Sequence, residues 1–456
     1  DPPKPIIMEE DWEYIDPLQA ELDKQEQLED KVKIFNDNNV FIRNTQRYYC
    51  MEGQWVGCSA ASFRELHGNM PKVEIEGGKS QNWVTWWIEN HRNDYQKLDF
   101  YPYNINHRPD QTPPTVFNTF TQFKRSGEEG KVTKLIELFE TLVFNLAEGN
   151  KDCARYLRNY VAHLIQRPWE LPETVIGLYG NGGTGKDTFV QTISRLIDDN
   201  DYVKTTGQQS QGLGRFNSML DSCLFCDFNE GEGKDAVEGL AKLKNNSTAK
   251  TLPIERKGVD VVAVRHYCRY CVKSNNPSFC IVEEDDRRMF VVLATRYLAH
   301  NWSICPEDCS WKGDKPGSMK KGEKGSQWFF GQYYELLNDE EAVNGLFSYL
   351  DNLDLSSFNV RKFPKGKAYQ ENQAKNYKPC IPWLREFISR PIESTCDFRI
   401  VNLRNTKQRV LFCPKDALFS EFNSWCMAKN IQNKSCDSEP KFTRELKLVD
   451  TELVTN

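Results

Sequence analysis

The chain has 456 residues, which predicts about two to four domains, and its 39% hydrophobic and 27% charged content is typical of a soluble globular protein. No apolar run reaches the roughly 18 residues of a membrane span, and the acidic start DPPKPIIMEEDWEY has no signal-peptide pattern. The net charge of −6 excludes a uniformly basic nucleic-acid binder. It permits a local basic channel, because phosphate contacts are local.

The cysteine content indicates a reducing compartment. Fifteen cysteines without a secretory signal favour free thiols and an intracellular location such as the cytoplasm. The pairs Cys223/Cys226 and Cys268/Cys271 have the spacing of zinc ligands. Both lie in runs predicted as strands, where residues three apart face opposite sides of a sheet, so core packing is preferred to zinc.

The first 172 residues are predicted to form two units. Residues 1–125 are predicted to be an N-terminal α+β region, and residues 126–172 a collar-like helical block that precedes the next unit. The elements expected in the first unit are a helix over 16–35, a hairpin over 40–58 and an aromatic segment with Trp83, Trp86 and Trp87. These tryptophans either pack a small core, the preferred interpretation, or stack on bases. Residues 128–167 are predicted to be helical throughout.

A strand, a glycine-rich loop and a helix follow, over residues 175–195. The loop GNGGTGK fits G-x-x-x-x-G-K, in which glycines let backbone N–H groups surround a phosphate and the helix N-terminus adds its positive end. Lys186 is predicted to reach the β- and γ-phosphates. The predicted phosphate contacts are Gly180, Asn181, Gly182, Gly183, Thr184, Gly185, Lys186, Asp187, Thr188 and Phe189.

One position of the loop departs from the pattern. The Ser or Thr expected after the lysine, a magnesium ligand, is Asp187, and Thr188 comes one residue later. Either Thr188 or Asp187, the latter through water, is a candidate ligand of Mg²⁺, so two arrangements of the metal remain open.

A second apolar run, SCLFCDF over residues 222–228, is predicted to be a strand with acidic residues, Asp227 and Glu230, at its end. In a nucleotide hydrolase one carboxylate at such a strand orients Mg²⁺ and another polarises the attacking water. We expect Glu230 to be the base, because it follows the strand tip, and Asp227 or Asn229 to serve the metal. The alternative is a capping Glu and a surface Asp.

Residues 254–267 are predicted to form a hairpin with a basic tip at Arg256 and Lys257. These two residues, with His266 on the second arm, are the candidate nucleic-acid contacts. The next strand, 267–273, ends in Ser274-Asn275-Asn276. An amide there, Asn275 or Asn276, is a candidate for holding the attacking water, with a plain turn as the alternative.

Arginines follow in the segment EEDDRR, residues 283–288. Arg287 and Arg288 are predicted either to pair with Asp285 and Asp286 or to supply an arginine finger to a neighbouring subunit.

The rest of the chain is assigned by pattern to three units. Residues 173–300 are the predicted nucleotide-hydrolase core, and residues 301–375 are linker or lid helices that include a Gly/Lys-rich loop over 311–327. A helix is expected over 328–350. Residues 376–456 are predicted to be a small C-terminal α+β domain of winged-helix type.

The motifs together resemble superfamily 3 helicases of the AAA+ class, and especially primase–helicases of poxvirus-like large DNA viruses, virophages and phages. The matching segments are GNGGTGKDTF (180–189), GRFNSMLDSCLFCDFNE (214–230), IERKG (254–258), SNN (274–276) and DDRR (285–288). ARYLRNYVAHLIQRP (154–168) and DLSSFNVRKFP (354–364) also resemble family segments. Asp187 and the spaced acids Asp227 and Glu230 depart from the family pattern.

The resemblance implies an α/β fold with an AAA+ P-loop core, a parallel sheet flanked by helices. It also implies ATP and Mg²⁺ as cofactors, a homohexameric ring with ATP between subunits, and a hairpin that pulls one strand of single-stranded or forked DNA. No primase motif is evident, so a primase domain is expected, if anywhere, before Asp1. The alternatives are a P-loop ATPase that switches a protein partner and a replication scaffold without unwinding.

Overall fold

The computed structural model describes residues 17–52, 54–75, 79–123, 125, 134–197, 202–206, 212–229, 234–255, 261–275, 279, 282, 286–295, 298, 325–376, 380–389, 399–402, 409–412, 414–429 and 437–449. Glu230, Arg256, Lys257, Asn276 and Asp285 lie outside these residues, as do residues 311–324 of the predicted Gly/Lys-rich loop. The last three residues of that predicted loop, 325–327, are helical instead. None of the described helices is long and apolar enough to cross a bilayer.

The N-terminal unit is a small α+β structure. Its elements are α1 (Pro17–Asn38), β1 (Asn39–Ile42), β2 (Arg47–Glu52), β3 (Gln54–Cys58), α2 (Ala60–Leu66), β4 (Lys72–Ile75), β5 (Lys79–Asn82), α3 (Trp83–Asn90), β6 (Asp94–Tyr95), β7 (Lys97–Asp99) and β8 (Val116–Asn118). One sheet has the order β3-β2-β1-β6. Trp83, Trp86 and Trp87 are buried in its core, which confirms packing as their role.

The predicted helical block is two helices, α4 (Lys134–Leu146) and α5 (Lys151–Gln166), and not one. Glu148 (φ 59°) and Gly149 (φ 71°) both adopt the left-handed conformation, which an α-helix cannot continue through. Asn150 then caps α5 by accepting hydrogen bonds from the N–H groups of Asp152 and Cys153. The turn brings the two helices side by side against the sheet that follows.

A parallel five-stranded sheet forms the centre of the chain. Its strands are β9 (Val175–Tyr179), β10 (Val203–Thr206), β11 (Phe225–Asn229), β14 (Arg269–Ser274) and β15 (Met289–Leu293), in the order β10-β11-β14-β9-β15. Every neighbouring pair is parallel. Because the carboxyl ends of parallel strands meet at one edge, the residues after β9, β11 and β14 are brought together there.

Helices cover both faces of this sheet, as buried parallel strands require. Alternate residues of β9 enter different cores: Ile176 and Leu178 pack with α4 and α5, whereas Val175 and Tyr179 pack on the opposite face. The covering helices are α6 (Lys186–Leu196), α7 (Lys234–Asn246), α8 (Gly325–Leu337), α9 (Glu340–Asp351) and α10 (Lys367–Asn376). Residues 325–351 form two helices, not one, because Asp339 is the N-cap of a second helix and its side chain accepts hydrogen bonds from that helix's first N–H groups.

The hairpin expected near the basic tip is present as an antiparallel pair, β12 (Thr251–Ile254) and β13 (Val262–Arg265). The C-terminal unit contains α11 (Cys380–Ser389), β16 (Arg399–Asn402), β17 (Arg409–Phe412), α12 (Lys415–Ala428) and α13 (Glu439–Val449). Its three helices share a core around Trp383, Phe422 and Phe442.

The C-x-x-C cysteines differ from the sequence expectation in one respect. Cys223 and Cys268 precede β11 and β14 and do not lie within them, so the strand argument against a shared site does not apply to them. The Cys268 thiol lies 3.5 Å from the Cys223 sulfur, and all four cysteines are buried. Within the described part of the chain, no group of three or more His, Cys, Asp or Glu side chains is arranged to hold a metal.

Candidate nucleotide site

A cavity of about 560 Å³ opens at the carboxyl edge of the central sheet. The cavity is lined by the glycine loop between β9 and α6, by the ends of β11 and β14, and by Phe330 and Tyr334 of α8. The volume is within the range of roughly 300–1,000 Å³ typical of small-ligand pockets. The sequence-predicted loop residues from Gly182 to Thr188 all line it, together with Asn229 and Asn275.

The glycine loop has the backbone shape that its sequence predicts. Gly183 (φ 73°) and Gly185 (φ 94°) are left-handed, and Gly185 caps α6 without a side chain. A Cβ atom on Gly185 would lie 2.5 Å from Leu142 Cδ1, so the position also needs glycine for space. A Cβ atom on Gly182 or Gly183 would meet no atom of the described residues within 4 Å beyond its chain neighbours, which leaves the inner side of the loop open to a ligand.

Lys186 connects the loop to the neighbouring strand. Its ammonium donates hydrogen bonds to the carbonyl oxygens of Gly180 (2.6 Å) and Asn181 (2.9 Å) and to Oδ1 of Asn275 (3.0 Å). Only 8% of the residue is exposed. The structure therefore brings together the lysine and one of the two amides that the sequence singled out.

Besides Lys273, three residues that the sequence did not indicate support the loop or line the cavity. Asn145, at the end of α4, is buried and donates a hydrogen bond to the Thr184 carbonyl at 2.9 Å. Phe330 and Tyr334 of α8 face the cavity with their rings. They are about 150 positions from the loop, so local pattern carries no signal of their role.

Two of the three candidate metal ligands, Asp187 and Asp227, meet at the Lys273 ammonium, whereas Thr188 is paired elsewhere. The Thr188 hydroxyl is buried and lies 2.8 Å from the Tyr334 hydroxyl. Asp187 accepts a hydrogen bond from Lys273, and Asp227 forms an ion pair with the same ammonium at 2.8 Å. Lys273 occupies the place between the Asp187 and Asp227 carboxylates, so these residues in this arrangement do not fit an Mg²⁺ ion, which requires close octahedral oxygen coordination.

Lys273, near the end of β14, pairs with the buried carboxylate of Asp227 on β11. Asp227 is fully buried, and burial raises its pKa to about 6 although the Lys273 ammonium acts in the opposite direction. Burial also disfavours the charged Lys273, yet Asp227 and Asp187 outweigh it and raise the lysine's pKa. The alternative of a surface Asp at 227 is therefore wrong.

The two arginines lie at the opposite edge of the sheet from the glycine loop. The Arg288 carbonyl accepts a hydrogen bond from Val175 N, at the start of β9, whereas the loop follows the end of β9. The Arg288 guanidinium donates to the Lys244 carbonyl at 2.7 Å, and its backbone N–H donates to Asp286. Arg287 is exposed. The length of β9, roughly 13 Å for four steps, separates both from their own loop.

His266 does not reach the surface as a nucleic-acid contact would. It is 3% exposed, and its Nδ1 lies 3.0 Å from the Ala249 carbonyl while Nε2 lies 2.8 Å from the Tyr270 hydroxyl. A carbonyl only accepts, so Nδ1 carries the proton and Nε2 accepts from Tyr270. Both ring nitrogens are engaged internally, and the structure does not support a direct contact with nucleic acid.

Comparison with known proteins relates the chain to a replication protein. Residues 178–288 match the model of a family of unknown function, DUF5906. Over 282 residues the chain is 22% identical to the DNA primase-polymerase of Nitratiruptor phage NrS-1, an alignment that covers 59% of this chain and 35% of that protein. The chain is related to a phage replication protein. It spans about a third of the length of this curated relative.

Solved structures of the same phage protein share the fold. The apo C-terminal region of NrS-1, residues 305–718, superposes with a TM-score of 0.57 at 16% identity, over 91% of this chain and 86% of that one. The A form of the apo C-terminal region gives 0.56 at 17% identity, over 77% and 78%. The segment matched by the family model runs from β9 to Arg288 and so includes the glycine loop and the ends of β11 and β14.

Proposed function

We propose that the chain is an ATP-dependent DNA helicase of a phage-type replication system, acting as a homohexameric ring on single-stranded or forked DNA. The observation that carries the proposal is the Lys186 ammonium, held between the glycine loop and Asn275 at the mouth of a nucleotide-sized cavity. The similarity to a phage DNA primase-polymerase supports the replication setting. A primase domain is a plausible partner.

Phosphate binding is assigned to the glycine loop and the first turn of α6. Both line the cavity, and backbone N–H groups at such a helix N-terminus suit phosphate oxygens. Lys186 exchanges its two loop carbonyls for β- and γ-phosphate oxygens, which form stronger, charge-assisted hydrogen bonds. Asn275, already within hydrogen-bond distance of this lysine, is then beside the γ-phosphate and can hold the attacking water.

Glu230 remains our proposed base. It directly follows Asn229, which ends β11 and lines the cavity. Phe330 and Tyr334 line the cavity beside Gly185 and Thr188, and they are the proposed aromatic partners on which the base of a nucleotide stacks. Arg256 and Lys257, in the connection between β12 and β13, are the proposed phosphate contacts for DNA.

The test is ATP turnover and strand displacement on a forked duplex by the full chain and by Lys186→Ala. Loss of the ammonium should lower DNA-stimulated hydrolysis by about 100-fold or more, since it removes a charge-assisted contact to the transferring phosphate. Glu230→Gln should still bind ATP but not hydrolyse it. Wild-type turnover in Lys186→Ala, with an unchanged melting temperature, would rule out this loop as the phosphate site.

A second candidate is a nucleotide-binding scaffold or a switch acting on a protein partner. It is favoured by one observation: Lys273 forms ion pairs with both Asp187 and Asp227. These are the two carboxylates that would otherwise be candidates for binding a metal. Tight ATP binding without turnover, with or without DNA, would support the scaffold. Turnover that responds to a protein and not to DNA would support the switch.

A further inference from the structure

Lys273 lies between two acidic side chains at the edge of the candidate nucleotide site. It is the penultimate residue of β14, and its ammonium contacts Oδ2 of Asp227 on β11 and Oδ1 of Asp187 in the first turn of α6. The side chains of Lys273 and Asp227 are 7% and 0% exposed, whereas that of Asp187 is 77% exposed. The cation is therefore anchored on one side and open to the cavity on the other.

The burial of this pair explains why a lysine stands there. A buried carboxylate without a counter-charge is strongly destabilising, so Asp227 needs a cation in contact with it. Lys273 provides that cation from the neighbouring strand, at the position where a metal would have to bind to reach both Asp227 and Asp187. A divalent ion and this ammonium cannot occupy the same place.

We propose that Lys273 is a second phosphate-binding cation of this pocket and takes the charge-neutralising place of a divalent metal, so that the chain binds nucleoside triphosphates without one. The inference rests on the proposed nucleotide function of the same cavity, which Lys273 lines together with Lys186. Asp227 stays with Lys273, and the exposed Asp187 gives up its contact when a phosphate oxygen arrives. Asp187 is thus a competitor of the phosphate and not a metal ligand.

The test is calorimetric titration of the full chain with ATP, once in EDTA and once in excess MgCl₂. The wild-type dissociation constant should differ by less than about threefold between the two conditions, because the neutralising charge belongs to the protein. Asp187→Asn should tighten binding in EDTA by about fivefold, since it removes a carboxylate that repels phosphate and competes for the ammonium. Lys273→Met should weaken binding in EDTA by about tenfold.

A matched control separates local competition from a general loss of negative charge. Asp152 is also an exposed acid in the first turn of a helix, α5, outside the cavity. Asp152→Asn should leave both dissociation constants unchanged. Asp187→Asn is the decisive variant, because its exposed side chain can be replaced without leaving Asp227 unpaired, as Lys273→Met would.

The outcomes distinguish this inference from the proposed function. If ATP binds only in MgCl₂, or if Asp187→Asn weakens binding there, the metal role of Asp187 is restored and the inference is overturned, while the nucleotide site stands. If ATP binds under neither condition, the proposed function is overturned as well. Metal-independent binding that tightens in Asp187→Asn supports the inference.

Discussion

Gly185 shows how strongly single positions of the loop are constrained. Its φ of 94° is unfavourable for any residue with a side chain, and its Cβ position is blocked by Leu142 and Phe330. Gly182, three residues earlier, is not left-handed, and a Cβ atom there would meet no atom of the described chain within 4 Å beyond its neighbours in sequence. Adding a methyl group should therefore destabilise the fold more at Gly185 than at Gly182.

We expect Gly185→Ala to lower the free energy of unfolding by about 1–3 kcal/mol, the cost of a strained backbone, with more from the contact with Leu142. Gly182→Ala should change it by less than about 0.5 kcal/mol. Thermal unfolding of both variants beside the wild type measures the difference. Equal losses in the two variants would show that the loop does not keep this conformation in solution.

The hairpin formed by β12 and β13 is tied to the central sheet through a buried histidine. His266 follows β13, and its two nitrogens join the Ala249 carbonyl to the Tyr270 hydroxyl on β14. Burial lowers the pKa of His266 to about 4 from an ordinary 6.5. Protonation would turn Nε2 from an acceptor into a donor and break the bond from Tyr270.

The sign of the pH effect follows from this lowered pKa. Between pH 6.5 and 4 the unfolded chain takes up a proton on His266 and the folded chain does not, so folding stability is full above pH 6.5 and falls toward pH 4. The contribution of this one group is at most about 3 kcal/mol. The stability advantage of the wild type over His266→Gln should therefore shrink as the pH is lowered from 7 to 4.

Thermal unfolding of both proteins across that pH range checks the prediction, because the other titrating groups are common to both and cancel. A difference in melting temperature that stays constant from pH 7 to 4 would mean that His266 does not hold a lowered pKa.

Across the whole molecule, the central sheet separates the glycine loop from Arg287 and Arg288. The glycine loop is at its carboxyl edge, and Arg287 and Arg288 are at its amino edge. Neither arginine can therefore serve its own loop, which is the geometry that a finger acting on a neighbouring subunit needs. Arg288 is committed to the Lys244 carbonyl, so the exposed Arg287 is the better candidate.

Mixing inactive variants tests this arrangement. Arg287→Ala alone should lower kcat by on the order of 10³ or more, and Lys186→Ala should be inactive for a different reason. Mixed assemblies contain some interfaces with an intact loop on one side and an intact Arg287 on the other, so ATPase activity should return. Arg288→Ala is the matched control: it should lose stability through its bond to Lys244 and retain hydrolysis. Failure of the first mixture to recover, with assembly intact, would contradict a finger in trans.

Much of the site could be predicted from local sequence. The strand over 175–179, the loop and the start of α6 were correctly predicted, because glycine spacing and apolar periodicity act over only a few residues. The hairpin before β14 and the amide at Asn275 were found in the same way. Helix continuity was not: Glu148 and Gly149 break a region that was predicted to be helical throughout.

The sequence by itself determined the glycine loop with its flanking strand and helix, which is the arrangement that a phosphate-binding loop requires. Only the tertiary structure decided which distant side chains meet it. Lys273 lies on a strand that the sequence shows merely as apolar, and the parallel pairing of β11 with β14 places it against Asp227. Folding of α8 onto α6 adds Phe330 and Tyr334. Such contacts depend on strand order and helix packing, which local periodicity does not encode.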